Sequence, residues 1–285
     1  MRPFDYFIGI DWSGAKGKWQ KGIKVAAAYP GPDAPHLIPG PLPNGRWSRT
    51  AVASWIPEVV RDKRALIGLD FAFGFPGQTQ QTGDVALDWE YVETLCQLDP
   101  NFYGGRFFRV SNAIHSRFVN SPWVPRSSYS AHCLRATELA AKRTKGATPQ
   151  SIFNACGPAQ VGPSSISGMR VLYRIQRRHS GSISIWPFDE IDDVRSAIVE
   201  IFPRYFPLLH KLSPNLCSHA ALNTALAAFH SAPVSTPPSS EDEGDALLSA
   251  AAMRVLANDG AFFKLPDPAA RKEGWIFGVP LEAAA

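Results

Sequence analysis

Two apolar runs in this chain end on a carboxylate. In "FIGIDWSGAKG" (residues 7–17) the run stops at Asp11, and in "LIGLDFAFGFP" (66–76) it stops at Asp70. Side chains alternate along a strand, so Phe7, Gly9 and Asp11 share one face, as do Leu66, Gly68 and Asp70. If the strands are parallel neighbours, their spacing of roughly 4.8 Å brings both carboxylates within reach of one cation. Gly9 and Gly68 lack a Cβ and would leave room beside them. Two like charges that close are costly unless a metal or a shared proton compensates them, so the pair anticipates a divalent ion. A single aspartate at a strand end is readily explained as a turn cap; the repetition of "IGID" as "IGLD" is what points to chemistry.

Two further acidic positions stand out. Asp242 and Asp245 are three apart, so on a helix they lie on one face. The segment "SEDE" (240–243) reads as a capping box, and acids in a first helical turn are favoured by the dipole. That explains Glu241, Asp242 and Glu243 cheaply. It explains Asp245 less well, since it lies past the first turn and borders the apolar run "ALLSAAAM". Glu200, inside "AIVEIFP", is disfavoured in an apolar strand without a partner. Either Arg195 or Arg204 pairs with it, or it faces the same acidic cluster.

The elements that must position these acids can be read along the chain. "DYFIGID" and "KGIKVAAAY" (21–29) read as strands, and the proline-rich stretch after them holds only a short edge strand around His36–Ile38. "SRTAVASWIPEVVRDKR" suggests a helix capped by Ser48, with Pro57 in its middle. "ALIGLDFAF" (65–73) has the unbroken apolar character of a strand covered on both faces. "DVALDWEYVETLCQL", "AHCLRATELAAKR" and "GMRVLYRIQRRH" are helix candidates. "GSISIWPF" and "SAIVEIFPRYF" read as strands, "SAPVSTPPSSED" (231–242) as a linker, and "EDEGDALLSAAAMRVLA" (241–257) as a last helix. The expected fold class is α/β: a core formed by residues 1–76 and 181–285, interrupted at 77–180 by a basic, mainly helical insertion.

Charge is unevenly spread. Lys and Arg against Asp and Glu number 10 and 11 in residues 1–100, 12 and 1 in 101–180, and 7 and 13 in 181–285, giving −1, +11 and −6. The basic block is the kind of footprint that polyanions recognise. Within it, residues 102–126 interleave four arginines with six aromatics, the mixture that grips phosphates and stacks exposed bases. These aromatics serve equally well as a local core. Lys16 and Lys18 beside Asp11 offer a phosphate contact or a solvated turn. The four cysteines (96, 133, 156 and 217) form no C-x-x-C pair, which disfavours a zinc ribbon and suggests reduced thiols in a cytoplasmic protein. Eighteen consecutive apolar residues are nowhere found, so no membrane association is expected. The opening "MRPFDYFIGID", with Asp5 inside its apolar run, does not read as a secretion signal.

An Asp on the first strand, an Asp on a later central strand and an acid on the final helix resemble the RNase H-like superfamily. More narrowly, the chain resembles a domain-of-unknown-function family of predicted nucleases within it. "GIDWSG" is similar to that family's opening "GvD", and "LDFAFGFP" to its "iDvPiGLP", placing Asp70, Gly74 and Pro76. "ATELAAKR" is similar to its acid-and-base helix, placing Glu138 and Arg143. "QSIF" (150–153) is similar to "sSvF", "IVEIFPR" to "vvEvHPE" at Glu200, and "EDEGDALLSA" to "DDxxDAlaaA" at Glu241, Asp242 and Asp245. Phe202 and Arg204 stand where the family has His and a second Glu.

The resemblance implies an RNase H-like mixed sheet flanked by helices. It also implies phosphodiester hydrolysis with two divalent cations, Mg2+ or Mn2+ suiting an all-oxygen site. Asp11, Asp70 and Asp245 would be the metal ligands, Asp242 or Glu200 the auxiliary acid, and DNA or RNA held by residues 101–180 the partner. Three other classes compete. An actin-like or sugar-kinase-like ATP-binding protein would use "DWSGAKG" and "LDFAFG" as phosphate loops, although that class needs two cores and a glycine-rich adenosine segment. A non-catalytic nucleic-acid binder would have little use for the surviving acids. A hydrolase of small phosphoesters would not need the basic block.

Overall fold

The computed structural model describes residues 3–17, 20–77, 84–109, 134–155, 160–264 and 266–281. Its centre is a mixed six-stranded sheet flanked by helices, an α/β architecture. The strands are β1 (Tyr6–Asp11), β2 (Lys24–Ala28), β3 (His36–Leu37), β4 (Ala65–Leu69), β5 (Ile183–Ile185) and β6 (Ser196–Glu200), in the spatial order β3-β2-β1-β4-β6-β5. The first three form an antiparallel meander; β1, β4, β6 and β5 run parallel. The parallel pairing of β1 with β4 is in register, Gly9 opposite Gly68 and Ile10 opposite Leu69.

Strand alternation sorts the side chains into two apolar layers. Ile8, Ile10, Val25, Ile67, Leu69 and Ile198 face helices α1 (Arg49–Asp62), α2 (Val85–Cys96) and α4 (Gly162–His179). Phe7, Ala26, Leu66, Ala197 and Val199 face α6 (His219–Ala228) and α7 (Glu241–Leu256). Shorter helices α3 (Ala136–Ala141), α5 (Tyr205–Leu209) and α8 (Pro268–Glu273) lie among the loops. In the described parts of residues 77–180, α2 and α4 therefore build one of the two layers on the sheet.

Ser48 caps α1 as expected, its Oγ accepting from the Ala51 N–H. Several elements differ from expectation. The strand expected over 65–73 ends at Leu69, because Ala72 and Phe73 donate their N–H groups to Ser165 Oγ and Glu200 Oε2 rather than to a strand partner. The strand expected over "SAIVEIFPRYF" ends at Glu200, and its last residues begin α5. Helix α4 begins six residues earlier than the glycine-led segment suggested, and α6 has no counterpart in the sequence reading. Residues 110–126 of the aromatic and arginine stretch, Lys18, Cys133 and Cys156 lie outside the described residues.

The space expected beside Gly9 and Gly68 is filled. A Cβ on Gly9 would sit 2.4 Å from the Ala246 carbonyl oxygen and 2.9 Å from the Ala250 nitrogen; one on Gly68 would sit 2.6 Å from Ile201 Cγ2 and 2.7 Å from Met253 Sδ. Gly9 admits the backbone of α7 onto the sheet, and Gly68 admits the side chains of Ile201 and Met253; the space beside them is not left for a cation. Both ends of α7 are fixed there: Ser240 Oγ caps it, Lys24 on β2 pairs with Glu243 at 2.7 Å, and Arg254 donates to the carbonyls of Tyr29 and Asp33. Gly9→Ala should lower stability by about 1–3 kcal/mol through overpacking, as read by urea unfolding. Gly181→Ala, where a Cβ meets open space, should change it by less than about 0.5 kcal/mol.

Candidate active site

The C-terminal ends of β1, β4 and β6 open into a cleft of about 390 Å3, with Asp70, Glu200, Asp245 and Arg204 among its lining residues. Asp11 is the last residue of β1, and Asp70 follows β4 directly, its N–H donating to the Ile10 carbonyl at 3.1 Å. The ladder thus puts the two aspartates abreast on neighbouring parallel strands. Both lie on the face covered by α7. There the glycine contact lowers the second turn of α7 onto the sheet and brings Asp245 beside them.

The loops behind the acids are held firmly. After Asp11, Trp12 Nε1 donates to Ser167 Oγ, and the buried Arg49 donates to the carbonyls of Ser13, Ala15 and Asn101. After Asp70, Phe71 packs against Gly168, and Trp89 Nε1 donates to the Phe73 carbonyl at 2.7 Å. Each carboxylate therefore projects from backbone anchored to α4 or α1.

Electrostatics ties the acids together. Burial and then the charges of Asp70 and Asp245, with smaller contributions from Asp242 and Glu241, push the Asp11 carboxyl well above the carboxylate range. Asp245 is raised in the same direction by burial, Asp70, Glu241 and Asp242, and Arg204 opposes the shift. Burial and the Glu200 charge push Asp70 up to about 7. Asp242, half-buried at the start of α7, is raised by burial and lowered by Lys24. Asp245 is only 7% exposed, and its Oδ1 is buried without a hydrogen-bond partner. A buried carboxylate oxygen left unmatched among like charges is costly, and a cation is the partner that would relieve both costs.

Glu200 is placed differently. In the β4–β6 register it sits opposite Leu69, on the sheet face opposite to Asp11 and Asp70. There the buried Arg135 grips it with Nη1 to Oε2 at 2.8 Å and Nη2 to Oε1, and Oε2 also accepts from the Phe73 N–H. The same guanidinium binds Glu138 Oε1 through Nε at 2.8 Å and the Glu273 carbonyl through Nη1 at 3.0 Å. Burial raises the Glu200 carboxyl, and Arg135 pulls it back down. The partner is neither Arg195, which binds Asp192, nor Arg204, which lies 3.7 Å from Glu241. Sequence reasoning assigned Arg135 only to a basic surface block. The residues carry one usable signal for the pairing, a buried-strand glutamate needing a cation, but nothing local says which of many cations answers it.

Among the described residues, no group of three or more His, Cys, Asp or Glu side chains is arranged so that it could hold a metal ion as it stands. Mg2+ keeps several waters and is commonly held by only one or two carboxylates. The oxygen-only donors Asp11, Asp70 and Asp245, with their excess negative charge and the orphaned Asp245 oxygen, fit such a hard cation in chemistry and charge. Among the described residues no helix is long and apolar enough to cross a membrane. No family model matches the chain, and neither a curated protein nor a solved structure matches it.

A titration follows from the crowding. Asp70 holds its proton more tightly folded than unfolded, so the folded state carries more protons between about pH 4 and pH 7, and stability falls as pH rises through that window. In metal-free buffer, Asp70→Asn should stabilise the protein by about 1–3 kcal/mol near pH 8 and change little near pH 4. Thermal melts across that range would show it; a variant without gain at high pH would mean that burial and the Glu200 charge do not raise the Asp70 carboxyl.

Proposed function

We propose that this chain is a metal-dependent phosphodiester hydrolase, a nuclease of RNase H-like architecture that uses two divalent cations, Mg2+ or Mn2+. The observation that carries the reading is the gathering of Asp11, Asp70 and Asp245 from two adjacent parallel strands and the last long helix, with Asp70 and Asp245 lining one cleft and Asp11 feeling the charge of both. The unmatched buried oxygen of Asp245 lies there as well. An opening antiparallel meander followed by parallel strands on the other side of β1 supports the RNase H-like reading.

Asp11, Asp70 and Asp245 would hold the metal. Bound there, such ions supply positive charge for the attacking water and for the leaving oxygen of a phosphodiester. Asp242 is the auxiliary acid, because its charge reaches both Asp11 and Asp245. Glu200 serves instead through Arg135 and the Phe73 N–H, fixing the loop that carries Asp70. Nucleic acid, DNA or RNA, is the proposed substrate. Lys142, Arg143 and Lys145, all exposed after α3, and the exposed Arg174, Arg177 and Arg178 of α4 are the described cations available to its phosphates.

Asp11→Asn should abolish Mg2+- or Mn2+-dependent cleavage of a mixed DNA and RNA oligonucleotide panel while leaving the circular dichroism spectrum unchanged. Undiminished cleavage by a folded Asp11→Asn protein would overturn the reading.

A further inference from the structure

The cleft beside the acids has a second wall that the acids do not use. Phe202 lines it and is only partly buried, lying nearly parallel to Tyr205 at 20° and 6.4 Å between centroids. Gln150 and Gln160 also line it and are exposed; Gln150 commits Nε2 to the Thr148 carbonyl at 3.0 Å, which leaves Oε1 as an acceptor. Arg135 and Arg204 are the lining cations. Arg135 is fully engaged by Glu138, Glu200 and a backbone carbonyl. The Arg204 side chain is 55% exposed; among the described residues its one ion pair, with Glu241 at 3.7 Å, is at the loose end of the range where surface pairs contribute little, and its charge also reaches Asp245.

An aromatic face, two amides and an uncommitted guanidinium, set beside an acid cluster suited to a cation, are the parts that recognise a base and its phosphate together. The volume of about 390 Å3 is that of a small-molecule site. It takes one nucleotide unit; a nucleotide inside a double helix would first have to be turned out of the stack.

We infer that the cleft binds a single unpaired nucleotide, with its base against Phe202, its edge at Gln150 and Gln160, and its phosphate between Arg204 and the acid cluster. The need to seat one unpaired base thus sets a preference for single-stranded or frayed substrate. The inference rests on the nuclease reading for the cation that lets a phosphate approach Asp70 and Asp245.

The test is binding by the full-length protein with Ca2+ replacing Mg2+. The probes are a fluorescein-labelled 12-nucleotide oligothymidylate, the same strand in a duplex, and thymidine monophosphate as competitor. The single strand should bind at least tenfold more tightly than the duplex. Phe202→Ala and Arg204→Gln should each weaken it about tenfold, the former through lost stacking. Arg204→Gln should also reduce the slope of log affinity against log salt by about 0.7, the value of one phosphate contact to a single strand. Competition by the monophosphate supports the site with free nucleotides as its ligands; its failure to compete supports the site with polymer as the ligand. Mn2+ affinity, followed by electron paramagnetic resonance, should be unchanged in Phe202→Ala, which removes no charge from the acid cluster. If Mn2+ does not bind and nothing is cleaved, yet strand binding depends on Arg204 and Phe202, the nuclease reading falls and the nucleotide site stands. A wild type that binds no probe, equal affinity for duplex and single strand, or Arg204→Gln binding with unchanged affinity and salt slope would overturn the inference.

Discussion

The close packing of one helix on two glycines sets the geometry of the whole site. Where β1 and β4 run side by side, Gly9 and Gly68 face each other in register, and α7 lies so near that a methyl group on Gly9 would collide with its backbone. Any larger residue would lift the helix and carry Asp245 away from Asp11 and Asp70. The end anchors on Lys24 and Arg254 keep α7 from sliding along the sheet. Three acids from residues 11, 70 and 245 meet because a glycine two residues upstream of each strand aspartate lets α7 pack closely, through its backbone at Gly9 and through the Met253 side chain at Gly68.

That meeting has an energetic cost, and the surroundings are built to bear it. The strand ends carrying Asp11 and Asp70 are bound through Trp12, Arg49, Trp89, Ser165 and Glu200, so the acids cannot relax apart by local loop motion. Instead their protons are held to higher pH. Buried carboxyls raised in this way are a recurrent mark of functional sites. Across the sheet the opposite solution operates: Arg135 compensates Glu138 and Glu200 in a dry network, where losing one partner would strand a buried charge. The cleft thus has a compensated wall around Glu200 that supports the fold and an acid-rich wall at Asp70 and Asp245.

Much of this was legible in the residues. The aspartates announce themselves because strand alternation and the repeated "IGID" and "IGLD" fix their face and their end of the strand; that β1 and β4 are parallel neighbours was only a condition of that reading, and the fold meets it. Asp245 was separable from its neighbours because helix capping explains Glu241 to Glu243 but not a carboxylate past the first turn. What stayed hidden depends on contacts far apart in the chain. Glu200 has the opposite parity to the other acids only once its register against β4 is known. Arg135 lies in a block whose composition suggests a solvated surface, and only the fold carries it inside. The glycines were read as room for an ion, since a sequence shows that a Cβ is missing but not what occupies its place. Helix α6 is apolar around much of its surface, with little of the one-sided periodicity that marks a helix in sequence.

Diffraction from crystals soaked in Mn2+, recorded for the manganese anomalous signal, tests the account at its centre. The account predicts anomalous density between Asp11, Asp70 and Asp245, within bonding distance of Asp245 Oδ1. Manganese bound only elsewhere, with those three side chains unchanged and unliganded at saturating metal, would contradict it.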